Sequence, residues 1–250
     1  MRTAKTVLTV IQERGKQKKP IERVYKLLFN RELYLNAYAK LYPNNGAMTK
    51  GVTDETVDGM SIQKIDRMIE ILREEKYQWK PARREYIKKK NGKKRPLGIP
   101  VWGDKVLQEV MRQILEAYYE PQFSEHSHGF RPNRGCHTAL QEIQVWKGTR
   151  WFIEGDISQY FDTIDHKILL EILARNIHDG RFIRLVSNML EAGYLEEWKF
   201  NQTISGVPQG GVISPILANI FLNEFDNWIE EVLIPKYTKG KRQKSNPEYN

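Results

Sequence analysis

The sequence predicts a mixed α/β (α+β) fold, and three observations carry that expectation. Residues 151–157 are rich in aromatic and β-branched side chains and read as a strand half-buried on one face, with Asp156 near its end. Asn91-Gly92 stands between two extended-looking segments, 84–89 and 94–100, and an Asn-Gly pair in that setting is the strongest short hairpin signal. Elsewhere apolar residues recur every three or four positions, the spacing of helices with one buried face.

In chain order, residues 1–19 are polar and basic. Residues 21–42 read as one helix with Val24, Leu27, Leu28, Leu35 and Tyr38 on one side, broken by Pro43-Asn44-Asn45-Gly46. After a loop, Ser61 is expected to cap a helix that reaches about Glu75. The basic hairpin follows, then an amphipathic helix over 104–119, a loop over 123–135 and a helix over 136–146. Beyond the 151–157 strand, Asp162 reads as a helix N-cap, and helices over about 164–176 and 181–192 are closed by Gly180 and Gly193. Residues 206–211, Gly-Val-Pro-Gln-Gly-Gly, form a glycine-rich turn without the Gly-Lys-Ser/Thr of a Walker loop. Its backbone is expected close to a ligand, with Gln209 pointing in, although a plain loop before a core helix fits the spacing as well. Ser214 as cap and Pro215 as first helical residue start a helix that Pro235 stops. The basic tail 236–250 reads as a linker that stops short of a natural continuation.

Composition narrows the function. The chain has 250 residues, 40% hydrophobic and 28% charged, enough to bury a core and too apolar for a disordered chain. Its net charge of +9 is concentrated: residues 73–95 hold eleven Lys and Arg against three Glu, a net of +8. Clustered positive charge points to a polyanion, nucleic acid or nucleotide phosphate. The single Cys136 excludes an internal disulfide and fits a reducing compartment. No apolar run suits a signal peptide or a membrane span, so a cytoplasmic location without membrane contact is expected. His126, His128, Cys136 and His137 lack the paired spacing of a zinc site. Asp156, placed where a strand gives way to a helix, suits a divalent oxygen-ligated metal, and a turn or cap residue is the competing reading.

Taken together, these blocks resemble the reverse transcriptase of group II introns, the intron-encoded maturase family. Lys94-Arg95-Pro96-Leu97-Gly98-Ile99-Pro100 is similar to the family's fingers strand, and residues 123–140, with Gly129-Phe130-Arg131-Pro132-Asn133-Arg134-Gly135, to its next block. Residues 156–165 look like polymerase motif A. Residues 206–211 with Ser214, Pro215 and Asn219 look like motif B, and 47–60 like the N-terminal extension loop. The resemblance implies a right-hand polymerase fold, with a small antiparallel palm sheet on helices and a hairpin in the fingers. It implies an N-terminal extension over 1–60, fingers over 61–110 and 166–200, and palm over 111–165 and 201–235.

The roles it implies are specific. Asp156 is the catalytic metal ligand, with the Ile157 carbonyl beside it, for Mg²⁺ or alternatively Mn²⁺. Tyr160, or Phe161, is the aromatic under the nucleotide sugar. Lys89 and Arg95, with Arg83, hold the triphosphate, and Gln209 lines the nascent pair. Lys88, Lys90, Lys93, Lys94, Arg131 and Arg134 face RNA. The implied partners are group II intron RNA, an RNA template with a DNA primer, and a deoxynucleotide; a homodimer is left open. One departure matters: no Asp-Asp pair of motif C occurs in the chain. The expectation is therefore an RNA-directed DNA polymerase in a full-length parent, with the present chain inactive alone. A non-catalytic RNA-binding maturase and the reverse transcriptase of another bacterial retroelement are the alternatives.

Overall fold

The computed structural model describes residues 2–88, 92, 94–148, 152–197, 199–203, 205–207, 210–239 and 242–243. Helix α1 (Ala4–Lys16) opens the chain, where the sequence reads only as polar and basic. Thr3 caps it by accepting from the Thr6 amide. Its buried stripe is Ala4, Ile11 and Gly15, and a stripe that small does not stand out as apolar periodicity. Strand β1 (Ile21–Glu22), a 3₁₀ turn (Val24–Phe29) and α2 (Arg31–Leu41) replace the single helix expected over 21–42. Asn30 makes the break: its side chain accepts from the Glu32 amide and restarts the chain as a new helix. Helix α3 (Ile62–Arg73) follows its Ser61 cap as expected.

The hairpin forms between β2 (Ala82–Lys88) and β3 (Lys94–Ile99), with Gly92 in the left-handed region at φ 79°. Next comes α4 (Trp102–Tyr119), the axis of the core. Val106, Leu107, Val110, Met111, Ile114 and Leu115 along it are fully buried. Helix α1 lies so close that a Cβ on Gly15 would stand 2.1 Å from the Tyr118 carbonyl oxygen. Helices α5 (Cys136–Gln144), α6 (Tyr160–Thr163) and α7 (His166–Asn176) follow, then β4 (Ile177–His178) and α8 (Gly180–Leu190). Strand β4 pairs in parallel with β1.

Strands β5 (Tyr194–Glu196) and β6 (Lys199–Asn201) complete a sheet of order β3-β2-β5-β6. β2 is antiparallel to β3 and parallel to β5, and β5 is antiparallel to β6. Helix α9 (Ser214–Trp228) runs on through a π turn (Ile229–Leu233) into α10 (Ile234–Tyr237).

Several boundaries differ from expectation, each for a local reason. Residues 152–157 form no strand; Phe152 and Ile153 are 64% and 94% exposed. A strand is held by its neighbours' hydrogen bonds, and no described segment pairs with this one. Asp162 lies inside α6, and the cap is Asp165, whose carboxylate accepts from the Ile168 amide at 2.9 Å. Gly180 opens α8 behind the Asp179 cap instead of closing α7. The helix starts at Ser214 behind Ile213, one position earlier than expected. Pro235 does not stop its helix, because the wider turn just before it absorbs the missing N–H. In the tail, Thr238–Lys239 and Arg242–Gln243 pair as a short antiparallel ladder.

Candidate nucleotide and nucleic-acid site

Three stretches far apart in sequence meet here: the hairpin, the turn around α6, and the glycine-rich loop. Gly206 N donates to Ile164 O at 2.8 Å, and Val207 N to Phe161 O at 2.7 Å. Ser205 Oγ donates to Asp162 O at 3.1 Å. His166 Nε2 lies 2.6 Å from Gly206 O; a carbonyl only accepts, so this nitrogen carries the proton. Gly206 has φ 88°, and a Cβ there would stand 2.7 Å from Phe161 O and 2.8 Å from Asp162 Cα. Gly210, at φ 105°, is as tightly placed against β3, with a Cβ position 2.6 Å from Gly98 O. Both glycines are thus required by handedness and by close approach. Val212 N donates to the buried Gln108 side chain at 2.9 Å, and Asn219 Nδ2 to Gly129 O at 2.8 Å. The loop is bonded to α4 and to the α6 turn, and α9 behind it to the 123–135 block.

Asp156 and Ile157 sit on the irregular segment that leads into this knot, both exposed. Among the described residues no group of three His, Cys, Asp or Glu could hold a metal ion. Two-metal phosphoryl chemistry needs carboxylates on both ions. The donor set here, one carboxylate and one carbonyl, does not fit that requirement by itself.

The hairpin register sorts its side chains. Directly opposed residues share a face, and faces alternate along each strand. Arg83, Glu85 and Ile87 therefore lie on one face with Arg95, Leu97 and Ile99. Arg84, Tyr86 and Lys88 lie on the other with Lys94, Pro96 and Gly98. Leu97 packs at Gly210, which ties the Arg95 face to the glycine-rich loop. Arg83, expected at the triphosphate, instead donates Nε and Nη2 to Lys50 O at 3.1 and 2.9 Å and pairs with Glu85. It clamps the N-terminal loop to the base of the hairpin. Lys88, Lys94 and Arg95 are exposed. Lys89, Lys90, Lys93 and Gln209 lie outside the described residues.

Two other expected residues are structural. Arg131 is 7% exposed and spends its donors internally: Nε and Nη2 on Glu120, Nη1 on Ser124 O at 2.6 Å and Ser127 O at 2.8 Å. A guanidinium so enclosed holds its loop and does not face RNA. Tyr160 is half-buried, and its hydroxyl donates to Ala218 O at 2.7 Å. Burial pushes that hydroxyl well above its usual range, and the side chain belongs to the packing of α9. Phe161 stands edge-on to the exposed Phe130, ring centroids 6.4 Å apart. Arg134 pairs with Glu125, whose carboxyl it holds below the usual range. His126 and His128 both bond Glu142 and so tie their loop to α5. His166 and Arg84 carry no motif signal, because their importance lies in contacts 40 and more residues away.

Comparison with known proteins gives the family. Residues 87–239 match the family model described as reverse transcriptase (RNA-dependent DNA polymerase). The chain is 48% identical to the group II intron-encoded protein LtrA of Lactococcus lactis subsp. cremoris, over 91% of this chain and 38% of that protein. It is 40% identical to protein YkfC of Escherichia coli, over 90% of this chain and 60% of that one. Among solved structures, a chain of a partial Cas6-RT-Cas1–Cas2 complex superposes with a TM-score of 0.54 at 20% identity, covering 83% of this chain and 35% of that one. At that identity the likeness is one of fold, and the fold is that of polymerase fingers and palm. The chain spans 38% and 60% of the length of these two relatives. Family members generally use divalent metal ions and act on nucleic acid. Among the described residues, no helix is long and apolar enough to cross a membrane. The chain belongs to the reverse transcriptase (RNA-dependent DNA polymerase) family and is a relative of its group II intron-encoded members.

Proposed function

We propose that this chain carries the nucleotide- and RNA-binding part of a group II intron-encoded reverse transcriptase. The complete protein copies RNA into DNA and also binds its intron RNA and assists splicing. The observation that supports this most is the knot of backbone hydrogen bonds between Phe161, Ile164, Gly206 and Val207. It joins the Asp156 block to the glycine-rich loop, which in turn packs on the fingers hairpin through Gly210. Asp156 with the Ile157 carbonyl offers one half of a Mg²⁺ or Mn²⁺ site, and further carboxylates must complete it. Phe161 takes the place under the nucleotide sugar, since Tyr160 is committed to α9. Arg95 and Lys89 take the triphosphate, Gln209 lines the base pair, and Lys88, Lys90, Lys93, Lys94 and Arg134 take RNA. Residues 61–110 and 166–200 serve as fingers, and 111–165 and 201–235 as palm.

With one carboxylate in place, the 250-residue chain binds RNA but does not extend a primer. The test pairs primer extension on an RNA template, with Mg²⁺ and deoxynucleotides, with RNA titrations at several salt concentrations. No extension is expected, while log Kd rises with log salt by about 0.7 per neutralised phosphate on single-stranded RNA. Replacing Lys88 and Lys94 with Ala should take about 1.4 off that slope. Extension by this chain alone overturns the half-site. A flat salt dependence overturns the RNA interface.

A further inference from the structure

The hairpin has a second face, turned away from the Arg95 side, and it is built as a stacking surface. Arg84 lies with its guanidinium carbon 3.5 Å from the centre of the Tyr194 ring. Among the described residues Arg84 forms no ion pair, and its Nε is shut off from solvent without a hydrogen-bond partner. The Tyr194 ring and the neighbouring Tyr86 hydroxyl, not a carboxylate, set the position of this cation, and its Nε–H is left without a partner. Gly98 stands directly opposite Arg84 and adds no side chain. The result is a cleft of about 320 Å³ walled by Arg84, Tyr194, Pro96, Asp162, Thr203 and Ser205. Farther out on the same face, Lys94 Nζ lies 5.9 Å from the centre of the Tyr86 ring, with Lys88 directly opposite Lys94.

We propose that this face is a path for single-stranded RNA, and that the Arg84–Tyr194 cleft takes one unpaired nucleobase from it. The proposal rests on the RNA-binding reading above and adds a site on the hairpin face opposite Arg95. Unpaired bases stack on aromatic rings and on arginine planes, while lysines track the phosphates. Here the lysines and Tyr86 lie at the outer end and the planar pair lies in the cleft. The cleft volume is at the lower end of the range for small-ligand sites, about 300–1,000 Å³, which suits a base more than a whole nucleotide. The charge of Asp162 on the wall repels a phosphate, and the Thr203 and Ser205 hydroxyls offer acceptors to a base edge.

The test compares a short single-stranded RNA with an abasic phosphodiester of equal length and charge, by fluorescence anisotropy on the whole 250-residue chain. The unmutated chain should prefer the base-bearing strand by roughly 5- to 100-fold, from stacking. Tyr194→Ala should erase most of that preference while barely changing affinity for the abasic strand, and Arg84→Ala should erase it too, with a smaller loss on both strands from the missing charge. Tyr194→Phe should keep it; Arg84→Lys should lose it although the charge remains. Because Tyr194→Ala removes no charge, its salt slope should match that of the unmutated chain. Equal binding of both strands by the unmutated chain, or an equal loss on both in Tyr194→Ala, overturns the base pocket and leaves charge alone holding the RNA. Failure of the unmutated chain to bind either strand overturns the RNA reading itself and this site with it.

Discussion

Replacing Gly206 with Ala should be among the most damaging single changes in the chain. The residue has φ 88°, and a left-handed conformation costs a non-glycine residue about 1–2 kcal/mol. The new Cβ would stand 2.7 Å from Phe161 O and 2.8 Å from two backbone atoms of Asp162. Neither can yield like the end of a flexible side chain. Forcing an extra methyl into such a place costs about 1–3 kcal/mol. If the loop moves away instead, it forfeits the bonds from Gly206 N to Ile164 O and from Val207 N to Phe161 O, about 0.5–1.5 kcal/mol each. Either route gives a loss of about 2–5 kcal/mol, out of about 5–15 kcal/mol for a typical domain. Urea unfolding followed by far-ultraviolet circular dichroism measures it. Gly46→Ala is the control, because a Cβ there meets nothing within 4 Å; it should stay within about 0.5 kcal/mol of the unmutated chain. If Gly206→Ala unfolds at the same urea concentration as Gly46→Ala, the loop is not anchored to the α6 turn and the reasoning fails.

Two further outcomes are expected. Arg131→Ala should cost about 3–5 kcal/mol in the same unfolding assay, since it strips a nearly buried charge from Glu120, and RNA affinity of the folded protein should stay within about twofold; a large affinity loss at unchanged stability would return Arg131 to the RNA surface. Burial raises the Asp104 carboxyl from 3.8 to about 6, against the pull of the Tyr77 hydroxyl and the Lys80 amide on its charged form. The folded state therefore holds a proton that the unfolded chain releases, so Asp104 stabilises most below about pH 4 and loses this contribution as pH rises through 6. Relative to Asp104→Asn, the unmutated chain should gain about 2 kcal/mol between about pH 7 and pH 4; a pH-independent difference between the two proteins would contradict the raised carboxyl.

Much of this molecule was legible from local pattern. The hairpin followed from Asn91-Gly92, the start of α3 from Ser61, and the family from blocks that kept their order along the chain. What local pattern missed depends on partners distant in sequence. Residues 152–157 have the composition of a strand, but composition supplies no neighbour to pair with. Asp162 and Asp165 are equally good caps on paper, and only the left-handed Gln159 before α6 decides between them. Arg131 sits in a motif with Arg134 and looks equally available, yet Glu120 and two carbonyls enclose the first. Tyr160 and Phe161 are adjacent and aromatic, and the Ala218 carbonyl, 58 residues on, is what separates them.

The unpaired 152–157 segment bears on how this chain behaves at high concentration. Phe152, Ile153 and Ile157 are exposed, and among the described residues no hydrogen bond occupies the backbone groups between them. An open, apolar, strand-prone stretch is a template for pairing with another chain. Copies of this protein should therefore self-associate through it as concentration rises, burying Asp156 as they do so. RNA titrations belong in the dilute regime, where that carboxylate still faces water, and a charged residue at Ile153 should suppress the association.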